Sequence, residues 1–73
     1  GILMIFKGTI ASIDEETNTA RIIPDDTPQK TFPGIVIPDN LRERIRRGTR
    51  VIFAYFTDGE GIILSRMDGE NNG

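Results

Sequence analysis

The segment Leu3 to Asp14 constrains the fold more than any other part of the chain. It is a long, β-favouring run with a glycine, Gly8, near its middle. After Gly8 the apolar positions Ile10 and Ile13 are three apart, whereas strict strand alternation gives two or four. One extra residue near Ala11-Ser12, a β-bulge, restores the facing. A long strand bent at a central glycine is what closes a small barrel, because that one strand must serve two sheets.

The rest of the chain reads in shorter pieces. Isoleucine occupies twelve positions and threonine seven, and β-branched residues suit a pleated, half-buried surface. Asp14 to Asn18 is a polar turn, with Asn18 tolerant of positive φ. Thr19 to Ile23 is a second strand, ended by Pro24, and Pro24 to Lys30 is a loop. Thr31 to Ile37 is a third strand. Pro33 cannot donate to a ladder, so this strand is expected to be short or at an edge. A two-turn helix is expected next, over Asp39 to Arg47. Asn40 would cap it with Glu43 three residues on, Leu41 and Ile45 would share a face, and Gly48 would stop it. Arg50 to Phe56 is a fourth strand, apolar on both faces, with Phe53, Tyr55 and Phe56 expected in the core. Asp58-Gly59 is a hairpin signal, and Gly61 to Met67 is the fifth strand. Residues 68–73 are expected to be a disordered tail. This order of elements predicts an all-β fold. Residues 3–67 form one five-stranded OB-type β-barrel, with the short helix between strands three and four. An SH3-like barrel, its helix reduced to a 3-10 turn, is the alternative.

Size and chemistry narrow the function. The chain has 73 residues, with no cysteine and no histidine. That removes disulfide staples, zinc-finger spacings, thiol nucleophiles and imidazole acid–base chemistry. One small domain offers no deep cleft, so no enzymatic activity and no cofactor are expected. Asp14, Glu15, Glu16, Asp25 and Asp26 fall in turns, where such residues are commonly solvated. Gly59-Glu60-Gly61 lacks the lysine and helix of a phosphate cradle. The apolar run Ile2 to Phe6 is five residues long, against about 20 for a membrane-spanning helix.

Two features remain for binding. Arg42, Arg44, Arg46, Arg47 and Arg50 crowd nine residues in a chain of net charge -2. They suit an acidic partner or a phosphate backbone, or simply the solvated side of a helix. Single-strand-binding OB folds add exposed aromatics, and here only Phe32 is a candidate. Second, Ile23, Ile35, Val36, Ile37, Ile63 and the Ile2 to Phe6 segment carry more apolar surface than one barrel interior can hide. Some of it must face outward, as at a partner interface or in a homo-oligomer.

Gly8-Thr9-Ile10-Ala11-Ser12-Ile13-Asp14, followed by Thr19-Ala20-Arg21-Ile22, resembles the opening hairpin of the OB domains in phage tail-spike and baseplate proteins. Phe32-Pro33-Gly34-Ile35-Val36-Ile37-Pro38 is similar to their third strand. Gly48 to Phe56 resembles their Gly-x-x-Val-x-Val-x-Phe strand, and Asp58 to Met67 their last hairpin. The resemblance covers about 60 residues and extends to type VI secretion spike proteins. It implies a non-enzymatic structural component of a prophage-encoded, phage-tail-like baseplate or spike. Such a protein would bind other tail or baseplate proteins, assemble in the cytoplasm and reside in the particle. Two departures stand out: no β-helical shaft follows within these residues, and Asp39 to Arg47 is unusually basic. The competing function on the same fold is binding of single-stranded nucleic acid.

Overall fold

The first strand, β1 (Leu3–Asp14), pairs with two neighbours at once. From Leu3 to Thr9 it runs antiparallel to β4 (Arg50–Phe56), and from Gly8 to Asp14 antiparallel to β2 (Thr19–Pro24). The register slips between Ile10 and Ser12, so Ala11 is the extra residue that the spacing of Ile10 and Ile13 requires. Gly8 sits at the handover between the two partners. A Cβ there would lie 2.6 Å from the Ile23 carbonyl oxygen, so only glycine lets the neighbouring strand approach this closely. The structure, a computed structural model, describes residues 1–67; the tail expected over 68–73 lies outside the described residues.

The remaining elements are β3 (Phe32–Val36), a 3-10 helix (Asp39–Arg44) and β5 (Gly61–Arg66). The strands close a barrel in the order β1-β2-β3-β5-β4, with β4 returning to β1. The β3–β5 step is parallel, through Ile35↔Gly61 and Val36↔Ile62. This is a five-stranded, closed, mixed barrel of OB type. β3 is five residues long and meets β5 at only those two positions. Its brevity agrees with the proline at its second position.

The connection between β3 and β4 corrects the expected α-helix. It is a six-residue 3-10 helix, the form foreseen for the SH3-like alternative, set within the OB strand order. Pro38 is its N-cap residue, no side chain caps it, and the Asn40–Glu43 capping box does not form. The Leu41 amide donates to the Pro38 carbonyl at 2.9 Å. Helices this short are marginal alone, and the tighter 3-10 turn is common in connectors. Leu41 reaches the core from the helix and Ile45 from extended backbone after it. Gly48 does adopt positive φ, at 92°, in the turn that leads to β4.

The interior is filled by Ile10, Ile22, Ile35, Val51, Phe53 and Ile63, with Ile37, Leu41 and Ile45 packed against them. Phe53 is the largest fully buried side chain. Its ring lies 5.5 Å from those of Phe6 and Phe32, and Phe32 lies 4.5 Å from Tyr55. Phe56, unlike the core position its apolar strand predicts, faces outward and is 39% exposed. The reason is parity: Tyr55 is two residues from Phe53 and shares its face, while Phe56 is three away and does not.

Candidate protein-binding surface

The barrel's outer surface has two unlike halves. Over β2 and the second half of β1 the outward positions are mostly polar, Ser12, Asp14, Thr19 and Arg21, with Ile23 half-buried beside them. Over the first half of β1, and over β4 and β5, they are mostly apolar, with Lys7 and Arg50 at one end. The register makes that second half continuous. Ile5 pairs with Ala54, Ala54 with Ile62, and Ile62 with Val36, so one row crosses β1, β4, β5 and β3. Leu3 opposite Phe56 extends it at one end, and Leu64 extends it on β5. Ala54 is buried at its centre although it faces outward, because Ile5 and Ile62 flank it. At the margin, Val36, Phe56, Ile62 and Glu60 line a groove of about 480 Å³ together with Gly34, Gly59 and Gly61.

Part of this surface was legible in sequence, and part was not. Of the residues expected to face outward, Val36 and Ile2 to Ile5 are exposed, Ile23 is half-buried, and Phe6 packs against the core. Ile35, Ile37 and Ile63 are core instead. Ile62, Leu64 and Phe56, exposed here, escape sequence reasoning. β5 is apolar on both faces, so only its register against β4 tells Ile62 from Ile63. The one sequence signal that could have exposed Phe56 is its odd spacing from Phe53.

The five arginines do not form one patch. Arg42 and Arg44 lie on the 3-10 helix, Arg46 and Arg47 in the turn after it, and Arg50 opens β4. The Arg42 Nε donates to Asn18 Oδ1 at 3.1 Å, and its Nη1 lies 3.8 Å from Asp39. Arg50 Nη2 donates to Asp25 Oδ2. Asn18 precedes β2 and Asp25 follows it, so these two arginines reach opposite ends of that strand. Both partners of the Arg50–Asp25 pair are about two-fifths exposed. Arg50→Ala is therefore expected to cost about 0.5 kcal/mol or less, the usual worth of a solvated ion pair, as read by urea melts in low and high salt. Phe32, the aromatic candidate for base stacking, is half-buried among Phe6, Phe53 and Tyr55. Its ring is part of the interior.

Asp14 ends β1, and the other acidic candidates lie in the loops on either side of β2. Asp14 Oδ1 accepts a hydrogen bond from the Glu16 amide at 3.0 Å, a local turn contact. Among the described residues no three Asp or Glu side chains come together in a way that could hold a metal ion. No helix among them is long and apolar enough to cross a membrane. Fold and surface together define a small OB-type barrel with one apolar outer side. No protein-family model matches the chain, and no curated protein matches it.

Proposed function

We propose that this barrel is a non-enzymatic, protein-binding structural component of a prophage-encoded, phage-tail-like baseplate or spike. The observation that carries the binding role is the continuous outward apolar row Ile5, Ala54, Ile62 and Val36 with its neighbours. Apolar surface of this extent on a small domain marks an interface rather than scattered exposed residues. The baseplate setting rests on the resemblance of the two hairpins and the third and fourth strands to the OB domains of tail-spike proteins.

An affinity pull-down from the host, with any resident prophage induced, tests this. Tail or baseplate proteins should be recovered and should survive a high-salt wash, because burial of apolar surface is not screened as charge pairing is. Recovery of nucleic acid without them would overturn the proposal and put single-strand binding in its place. That binding should be lost in high salt.

A further inference from the structure

We infer that the apolar outer face takes a second copy of this chain, packed antiparallel about a two-fold axis near Ala54. The inference rests on reading this face as a protein-binding surface, and three observations select the occupant. The first is area. Leu3, Ile5, Val36, Phe56, Ile62 and Leu64 are 37 to 55% exposed. Together they present roughly 500 Å² of apolar surface, at the upper end for the largest patch on a monomer. That is more than half of the roughly 800 Å² each partner covers in a stable interface. Two identical faces of this size, with a polar rim, therefore suffice for a dimer.

The second observation is shape. The small residue Ala54 sits at the middle of the face between Ile5 and Ile62. A two-fold axis there lets the two sheets approach closely, with the larger side chains of each copy on either side of the axis. A two-fold interface must be self-complementary, residue for residue.

The third observation is charge. Asp58 and Glu60 lie in the β4–β5 turn, beside the Leu3–Phe56 end of the face. Lys7 lies at the other end, opposite Ile52, about 13 Å along β1 at the usual rise per residue. Asp25 and Asp26 line a pocket with Ile5, Phe6 and Lys7, and Arg50 engages Asp25, so Lys7 and Arg50 offset the two carboxylates and this end is close to neutral while the β4–β5 turn is acidic. An antiparallel pair places Lys7 of each copy against Asp58 and Glu60 of the other. A parallel pair would set the acidic turns against each other. Charge thus favours one register of the dimer.

Sedimentation equilibrium of the full chain, from about 1 µM to about 1 mM, tests the inference. The mass should rise to that of two chains. Ile5→Thr and Leu64→Gln should each weaken the dimer by roughly tenfold or more, with circular dichroism confirming that both fold. Lys7→Glu should weaken it by roughly tenfold, and Lys7→Glu combined with Glu60→Lys should restore it, because each contact occurs twice. The charge pair decides the matter even if the apolar variants fail to fold. A monomer at about 1 mM overturns the inference, as does a dimer indifferent to these folded variants. A monomer that still captures tail proteins overturns self-pairing alone. A dimer that captures none overturns the assembly role alone.

Discussion

Replacing Phe53 with alanine is expected to remove about 3 to 5 kcal/mol of stability, the cost of truncating a buried aromatic ring. Phe53 is wholly buried, and its ring is 5.5 Å from the rings of both Phe6 and Phe32. Its loss leaves a cavity between β1, β3 and β4 that no flexible neighbour fills, since the surrounding side chains are mostly β-branched isoleucine and valine. A chain of this length has about 4 to 10 kcal/mol in total, so the variant should be largely or partly unfolded in buffer. Phe56→Ala, three residues along the same strand, should cost about 1 kcal/mol or less because that ring faces solvent. Urea melts of the two variants settle the comparison. Equal costs would mean that the facing of β4 is wrong.

Gly8→Ala is expected to cost about 3 kcal/mol, at the upper end for overpacking by one methyl group. The new Cβ would lie 2.6 Å from the Ile23 carbonyl oxygen and 2.7 Å from Ile22 Cγ2. The carbonyl belongs to the neighbouring strand, so relief requires β1 and β2 to separate where Gly8 faces Pro24. For a domain this small the loss corresponds to a melting temperature lower by about 15 °C. Gly34→Ala is the useful contrast. Nothing lies within 4 Å of its Cβ position, but its φ is 70°. It should cost about 1 to 2 kcal/mol through backbone strain alone. A Gly8→Ala variant as stable as the parent would mean that β1 does not hand over between its partners at this residue.

The sequence reveals the strands more readily than the surface. β1 and β4 begin and end where their spacing and flanking turns place them, and the bulge near Ala11 follows from the three-residue step between Ile10 and Ile13. Asn18 and Gly59 take the positive φ that their turns require. The 3-10 helix is less legible. A capping-box pattern and an i,i+4 apolar pair are local signals, and tertiary packing of Ile45 in extended backbone overrides them. The binding face is the hardest to read. Whether Ile62 or Ile63 points outward depends on pairing with β4, a partner that local periodicity does not specify. The arginine-rich stretch shows the opposite limit. Its charge is obvious in sequence, but Arg42 and Arg50 diverge to Asn18 and Asp25.

The double duty of β1 also sets a timetable for synthesis. Its first half is among the earliest parts of this stretch made by the ribosome, but its β4 partner is translated much later. The Ile2 carbonyl that receives the Thr57 amide must wait for a residue 55 positions on. Until then Leu3, Ile5 and Phe6 have no strand to pair with, and they form an apolar, strand-prone segment. Closure over such sequence distances is slow, on the order of milliseconds to seconds. Pairing of this segment therefore waits until β4 has been translated. An apolar strand left unpaired in this way is open to aggregation until its partner arrives.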